Sequence, residues 1–463
     1  IRGSIGVGLE AGETGPAVET GVAANINLAQ VDLDAWEKIL SAGPATSISQ
    51  SAPLGPPVVT ESPSSTAQSY LPTVMAIRAK DLLVQGRRLH NVVVGGSRDG
   101  LNWRANVNAT ELNGYLEFRQ AGDAGATRLY ARLSRLNLAP STASEVEAIL
   151  DEQPASIPAL DIVVGDMELR GRKLGRVEIE AVNRGAAASD GVREWRLNKF
   201  NVIVPEAVLT ATGNWVAMNP RVDSSPAAGP GTAQGPAERR RTVLNFTLDI
   251  ANSGELLKRF GQGELVRRGK GKLEGQIAWI GSPLSLDYPT LSGQFNVNIE
   301  SGQFVKADPG IAKLLGVLSL QSLPRRLTLD FRDVFSEGFA FDFVRGDVTI
   351  RQGLATTNNL QMSGVNAAVL MEGSADIAHE TQNLKVIVVP EINAGTASLI
   401  ATVINPAIGL GTFLAQMFLR KPLIEAATQE FHIDGTWSDP RIIKIDRKAA
   451  ARSRTGDTPV ETR

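Results

Sequence analysis

The sequence predicts a mainly β protein, built as a long antiparallel meander with a few short helices. Apolar and polar residues alternate with a period of two in many segments, which is typical of strands with one buried face. Turn signals that contain glycine or proline recur about every ten residues. The chain has 463 residues, which is too long for one small core but suits two or three domains or one long repetitive sheet.

The alternation is clearest in the second half of the chain. Apolar side chains occupy every second position there, and most of the residues between them are polar. Because short turns separate most of these segments, consecutive strands are expected to pair antiparallel. The segments are Leu244–Ile250, Phe295–Ile299, Leu327–Phe331, Phe339–Phe343 and Leu384–Val388.

A loose internal repeat accompanies the strands. In each copy, tryptophan or alanine follows a glycine within a few residues. Such repetition favours an array of similar β units over a single enzyme domain. The copies run from Gly213 to Trp215, Gly275 to Trp279, Gly373 to Ala375 and Gly435 to Trp437.

Few helices are predicted. Ser253 is expected to cap a helix over 254–260, which Gly261 ends. A second helix is expected from Asp308 to about Leu323, because Pro309 favours a helix start and Pro324 ends the helix. Both helices are short, so sheet accounts for most of the predicted structure.

Composition predicts the domain organisation. Residues 1–220 are expected to form β-rich repeats with a disordered insertion at about 41–69, which is rich in Ser, Pro, Ala and Thr. A linker or loop over 221–240 is expected to separate them from a C-terminal β domain over 241–446. Residues 447–463 are predicted to be a disordered tail.

Charge and motifs exclude several classes of function. With 47 basic and 49 acidic residues the formal net charge is −2, which gives no reason to expect nucleic acid as a partner. The absence of cysteine removes thiolate catalysis and cysteine-bound metals, and the three histidines stand outside ligand motifs. Phosphate-binding loops, dinucleotide fingerprints and nucleophile elbows are missing. We therefore expect that the protein is not an enzyme and that it has no catalytic residue, metal or cofactor.

One segment differs from the strands around it, because residues 392–419 carry no charge. A membrane-spanning helix needs about 20 predominantly apolar residues. Asn405 and Pro406 interrupt this run, since proline breaks a helix interior and restricts the residue before it. The sequence therefore predicts a helical pair at about 394–404 and 407–420, neither helix being long enough to span a membrane.

The second helix of the pair has three possible roles. Its apolar residues insert into a membrane with the two basic residues at the headgroups, or the pair closes the end of an apolar groove. In the third interpretation the pair covers the sheet as ordinary core. The candidate residues for membrane or groove-end contact are Phe413, Leu414, Met417, Phe418, Leu419, Arg420 and Lys421.

Longer stretches of the sequence resemble a known family. The similarity is strong over about 242–446 and weaker from Pro158 to Trp215. The order of residues in these stretches is similar to that of the AsmA-like C-terminal region of YhdP-type envelope proteins. The segments that carry the resemblance are Gly310–Phe331, Gly254–Trp279, Gly338–Asp342 and Phe431–Pro440.

The resemblance implies the periplasmic part of a large Gram-negative envelope protein, anchored in the inner membrane by an N-terminal helix outside the present sequence. It also implies similarity to bridge-like lipid-transfer proteins, in which repeated β units twist into an open groove with an apolar floor. The implied partners are phospholipids and the two membranes, and the helical pair is a candidate contact with the outer membrane.

A lipid conduit of this kind needs apolar residues along the groove. The alternative is a structural or assembly factor for outer-membrane biogenesis that acts through protein partners on exposed strand edges. Neither the lipid conduit nor the assembly factor requires catalytic chemistry. The candidate groove residues are Leu327, Leu329, Phe331, Phe339, Phe341 and Phe343.

Overall fold

The computed structural model describes residues 2–10, 20–35, 71–84, 87–120, 127–138, 158–184, 194–217, 240–261, 266–283, 286–304, 339–364, 367–390, 403–420, 424–425 and 428–445. The chain divides into two compact units. Unit 1 comprises Ile1–Ser189 with Leu197–Lys199, and unit 2 comprises Asp190–Arg196 with Phe200–Arg463. The insertion, the tail and nearly all of the predicted linker lie outside the described residues, so the predicted domain organisation stays a prediction.

Unit 1 is built of strands. Their bounds are β1 Arg2–Val7, β2 Gly21–Asp32, β3 Val74–Val84, β4 Arg87–Asp99, β5 Asn102–Asn108, β6 Leu112–Arg119, β7 Arg128–Leu138, β8 Ala159–Leu169 and β9 Arg172–Arg184. Strands β3 to β7 pair antiparallel with their neighbours in sequence, as do β8 and β9. This is the predicted meander.

Three strand pairs depart from the meander. Strands β1 and β2, β2 and β3, and β7 and β8 pair parallel. A parallel pair needs a connection that returns the chain to the same end of the sheet, whereas a hairpin turn cannot do so. Long segments precede β2, β3 and β8 in the sequence. The mainly β fold with few helices is confirmed, and the sheet is mixed because these three pairs differ from the predicted antiparallel meander.

Glu178 in β9 lies between two cations on the polar surface of unit 1. Its Oε2 is 2.5 Å from Lys199 Nζ and its Oε1 is 2.7 Å from an Arg176 guanidinium nitrogen. The hydrogen bond from Lys199 and then that from Arg176 lower the pKa of Glu178 from 4.5 to about 2. Because the folded-state pKa is depressed, the carboxylate contributes stability above pH 4.5 that is lost as the pH falls towards 2.

The Glu178→Gln variant should be less stable at neutral pH by about 1 kcal/mol, a value that allows for the exposure of both cations. Its free energy of unfolding should also vary less than that of the parent chain between pH 4.5 and 2. Urea unfolding across this pH range measures both effects. Glu180→Gln, which removes an exposed carboxylate from the same strand, is the control. Equal pH profiles for the parent and Glu178→Gln would contradict the prediction.

Unit 2 contains the remaining strands. Their bounds are β10 Glu194–Val204, β11 Ala207–Ala217, β12 Arg240–Ile250, β13 Val266–Ile280, β14 Ser292–Phe304, β15 Phe339–Arg351, β16 Leu354–Gly364, β17 Ala367–Asp376, β18 Thr381–Pro390, β19 Gln429–Thr436 and β20 Pro440–Ile445. The short central part of β10 belongs to unit 1. From β11 to β20, each strand pairs antiparallel with the next one in sequence.

Unit 2 also contains the helices α1 (Ser253–Arg259) and α2 (Gly409–Arg420) and a 3-10 helix over Tyr288–Thr290. The N-cap of α1 is Asn252, whose side chain accepts a hydrogen bond from the Glu255 amide at 3.2 Å. The predicted cap, Ser253, is instead the first helical residue, and its hydroxyl donates to the Arg268 carbonyl at 2.6 Å. The predicted helix from Asp308 to Leu323 lies outside the described residues.

The sheet of unit 2 carries apolar clusters on both sides. Face A is the side that carries Phe341, Met362 and Val369, and its cluster takes residues from every strand between β13 and β20. Face B is the side that carries Leu370 and Ile387, and α2 packs against it. The two faces therefore differ in what covers them, since the helix lies on face B.

Strands β17 and β18 are buried on both faces. Residues 367–370 and 386–389 are each at most 3% exposed. Strands covered on two sides read as continuous apolar runs instead of alternating ones. This accounts for the sequences Ala-Ala-Val-Leu and Val-Ile-Val-Val, in which the period-two pattern is lost.

The glycine of the internal repeat lies where neighbouring strands approach closely. A Cβ atom at Gly275 would lie 2.2 Å from the Gln294 carbonyl oxygen, and one at Gly213 would lie 2.1 Å from a carbonyl oxygen of β12. Gly275 is also the register partner of Phe246 on β12 and of Phe295 on β14. The glycine thus leaves room for two aromatic residues on adjacent strands.

Replacing Gly275 by alanine should lower the free energy of unfolding by about 1–3 kcal/mol, because the new methyl group would collide with the backbone of β14. Urea denaturation followed by tryptophan fluorescence measures the loss. Gly95→Ala in β4 is the matched control, since no heavy atom lies within 4 Å of its Cβ position. An equal loss at both glycines would show that the close approach is not the cause.

Candidate functional site

A half-buried apolar surface lies on face A of β12, β13 and β14. Its side chains are neither fully buried nor fully exposed, unlike those of the β17–β18 core. Of the described helices, α2 packs on β16 and β17, and α1 packs on β13 at the end that carries Gly269. We call this surface the apolar strip, and it consists of Leu244, Phe246, Leu248, Leu273, Ile277, Phe295, Val297 and Ile299.

The centre of the apolar strip is in register across the three strands. Leu248 is opposite Leu273, which in turn is opposite Val297. Among the described residues, these three are not part of the face A clusters around Phe341 and Trp279, against which Leu244, Ile277, Phe295 and Ile299 pack. Directly opposed side chains in an antiparallel pair have Cβ atoms about 5 Å apart, so the three form a continuous apolar row across the sheet.

The opposite side of the same strands is polar. Gln276 donates to Asn245 Oδ1 at 2.7 Å across β12 and β13. Lys272 Nζ lies 2.6 Å from Glu274 Oε2, and this hydrogen bond raises the pKa of Lys272. One side of the sheet is therefore suited to water, and the other is suited to an apolar cover.

The structure separates the predicted groove residues. Leu327, Leu329 and Phe331 lie outside the described residues. So does the side chain of Phe339, whose backbone begins β15. Phe341 is 4% exposed in the face A cluster, with its ring centroid 5.1 Å from that of Phe304. Phe343 is half-buried on face B. Their role as lipid contacts stays a prediction.

A β-bulge explains why Phe341 and Phe343 are on different faces. Phe341 pairs with Gly364 but Phe343 pairs with Ser363, so β15 has one residue more than β16 at this point. The extra residue reverses the side on which later side chains lie. Val344 therefore joins the face A cluster with Phe341. The expectation that the alternating phenylalanines share one face was wrong here.

Phe343 lies in a polar setting. The Arg345 guanidinium carbon is 4.1 Å from the Phe343 ring centroid, and Arg345 Nε donates to Gln361 Oε1 at 3.0 Å. Burial lowers the pKa of the Arg345 guanidinium. A cation over the ring is attracted to its π face. The Phe343 ring therefore packs against Arg345 and is not part of the apolar strip.

Helix α2 corresponds to the second predicted helix. Leu414 and Met417 are 5% and 3% exposed and pack with Leu370 and Ile387 on face B. Their spacing with Leu410 places all three on one side of the helix. These two candidates for membrane contact are core residues in this structure.

The other candidates on α2 are more accessible. Phe413 and Phe418 are partly buried against the same cluster, and Leu419 is 85% exposed. The Arg420 side chain and Lys421 lie outside the described residues. In the described part of the chain, no helix is long and apolar enough to cross a membrane. The first predicted helix lies outside this part except for its last two residues, which are not helical.

Two asparagines in β16 hold the chain before α2. Asn359 is 2% exposed, and its side-chain nitrogen donates to the Ile404 carbonyl at 3.1 Å and to Asp347 Oδ2 at 2.8 Å. Asn358 donates to the Pro406 carbonyl at 2.8 Å. The sequence analysis missed both residues. The available signal was a pair of asparagines inside a strand, where this residue is disfavoured.

Fold and surface together define a class, namely long-stranded β-sheet proteins whose sheet is polar on one side and presents an apolar surface on the other. No three His, Asp or Glu side chains among the described residues come together in a way that could hold a metal ion. The chain belongs to the YhdP family, because residues 2–442 match the family described as YhdP protein. The resemblance identified from the sequence is thereby confirmed.

A curated relative gives the same assignment. The chain is 27% identical over 281 residues to the Intermembrane phospholipid transporter YhdP of Escherichia coli (strain K12). This similarity covers 60% of the present chain and 20% of the relative, so the chain spans about a fifth of the relative's length. No solved structure matches the chain.

Proposed function

We propose that the chain binds the acyl tails of phospholipids on the apolar strip and moves these lipids between the inner and outer membranes of a Gram-negative envelope. The observation that carries the proposal is the half-buried row Leu248, Leu273 and Val297, which has apolar neighbours on the same face and polar residues behind it. The printed name of the Escherichia coli relative, a phospholipid transporter, supports the choice of lipid.

The physical chemistry of the strip suits this task. Each methylene group moved from water to an apolar surface contributes about 0.8 kcal/mol. Adjacent strands are about 4.8 Å apart, so every added strand lengthens an apolar surface by that distance. Passing a lipid along such a surface requires no bond to be made or broken. The function is therefore transport and not catalysis, with no metal or cofactor.

The proposed place of the chain is the periplasm, with the inner membrane reached through a part of the protein outside this sequence. The exposed Leu419 and the partly buried Phe413 and Phe418 are the proposed membrane contacts of α2. Arg420 and Lys421 would lie at the headgroups, since long basic side chains extend towards the interface. Leu414 and Met417 would serve this role only indirectly, by holding the helix on face B.

Native mass spectrometry with lipid extraction tests the proposal. The chain is purified from a bacterial host without harsh detergent, and the expected result is one or more phospholipids bound to each folded chain. A stably folded chain without lipid would contradict the proposal. Defined proteins that co-purify with such lipid-free chains would favour the assembly-factor alternative.

A further inference from the structure

A concave surface lies in unit 1, on strands β2, β3 and β4. It is a depression of ≈ 420 Å³. Small-molecule sites commonly have volumes of about 300–1,000 Å³. Its lining includes Asn27, Ala29, Arg78, Lys80, Asn91 and Val93. It therefore combines two cations with amides and small apolar side chains.

The two cations lie side by side without a carboxylate opposite them. Arg78 and Lys80 are exposed and two residues apart on β3, which places them on one face of the strand. The register partners of Arg78 are Asn27 on β2 and Val93 on β4, both neutral. In the part of the chain that the structure describes, neither cation has an ion pair with a carboxylate.

Asp81 is the carboxylate nearest in sequence, and it is engaged elsewhere. Its Oδ1 lies 3.7 Å from His90 Nε2, and neither of these two residues lines the depression. Asn91, which stands opposite Lys80, has a φ of 53°, so β3 and β4 are not paired at this point. Asparagine tolerates this left-handed conformation better than most residues. The break in the ladder opens the depression beside Lys80.

Polar surfaces elsewhere in the chain are arranged differently. Lys385 lies 3.5 Å from Glu372 and 3.2 Å from Glu430 on the strands beside it. Arg441 and Asp434 pair at 2.6 Å. Neighbouring charges of opposite sign stabilise a sheet surface and like charges destabilise it. The cation pair in the depression therefore leaves positive charge that a bound anion would neutralise.

We infer that this depression binds a phosphate group. Arg78 donates from its planar guanidinium to two phosphate oxygens and Lys80 supplies a second positive charge. Val93, 46% exposed, and Ala29 contact the carbon atoms next to the phosphate. The ligand is the headgroup of an anionic phospholipid or a free phosphate. Phosphate binding in the depression does not depend on the apolar strip. The phosphate site can therefore be disproved while the proposed function holds.

The test uses the full chain and an Arg78→Gln/Lys80→Gln variant, with Arg119→Gln/Lys444→Gln as the control of equal charge change. Flotation with vesicles of phosphatidylglycerol in phosphatidylcholine measures lipid binding, and calorimetric titration with inorganic phosphate measures free phosphate binding. A basic residue near an anionic membrane strengthens binding by about 1 kcal/mol, which is about 5-fold. The site variant should therefore bind the vesicles about 25-fold more weakly than the parent, and the control should lose much less.

Each outcome is decisive. A lipid headgroup is supported as the ligand if the site variant loses vesicle binding and inorganic phosphate does not displace the parent chain from the vesicles. A calorimetric signal for phosphate that the site variant alone loses supports free phosphate. Equal binding of the site variant and the control to both probes would overturn the site. Unchanged lipid in native mass spectrometry of the site variant would leave the function proposed for the apolar strip intact.

Discussion

Phospholipid is expected to be lost from a chain in which Leu273 is replaced by glutamate. Leu273 is the middle residue of the apolar row and lies between Leu248 and Val297. A carboxylate there would have to be buried against acyl chains without a partner, which costs well over the 1.4 kcal/mol that corresponds to tenfold weaker binding. Native mass spectrometry should therefore show at least about a tenfold lower occupancy by phospholipid.

Two controls separate lipid binding from folding. Asn298→Glu introduces the same side chain on the exposed polar side of β14, opposite Lys272, and should retain lipid. Leu273→Met keeps the apolar surface with a similar volume and should also retain it. Circular dichroism and the unfolding midpoint check that Leu273→Glu is folded. A folded Leu273→Glu chain with full lipid occupancy would show that the tails lie elsewhere.

The alternation behind the apolar strip could be predicted in β12 and β14, although the groove candidates chosen from the sequence were other residues. In β12 and β14 an apolar residue recurs at every second position, and these residues lie on one face of the sheet. The meander followed from short turns, and both predictions depend only on local sequence. The parallel pairs in unit 1 could not be predicted in the same way. They are set by where long connections return the chain, which no local pattern encodes.

The prediction that failed concerns a position where a bulge changes the alternation of side chains. One extra residue in β15 moves Phe343 to the face opposite Phe341, and nothing in the alternation Phe-Ala-Phe-Asp-Phe reveals it. A run without charge is equally consistent with a membrane contact and with a core. Leu414 packs on Leu370 and Ile387, which belong to a sheet face that is remote in sequence, and its role in membrane contact stays a prediction.

Helix α2 should respond in opposite ways to changes at Leu414 and Leu419. Leu414→Ala removes a side chain that is 5% exposed, and its loss should lower the free energy of unfolding by about 2–5 kcal/mol. Leu419→Ala alters a side chain that is 85% exposed and should change stability by less than about 0.5 kcal/mol. Urea unfolding of both variants measures the difference.

Membrane binding should show the reverse dependence if α2 touches a bilayer in the conformation described here. Leu419→Ala then weakens flotation with phospholipid vesicles, because that side chain is free to enter the acyl region. Under conditions in which Leu414→Ala remains folded, its vesicle binding should be close to that of the parent chain. If Leu414→Ala instead binds vesicles much more strongly, α2 must leave face B to meet the membrane, and the residues packed on Leu370 and Ile387 would form the inserting surface. Equal binding by all three chains would assign α2 to the core of unit 2 alone, since its buried side already accounts for its apolar residues.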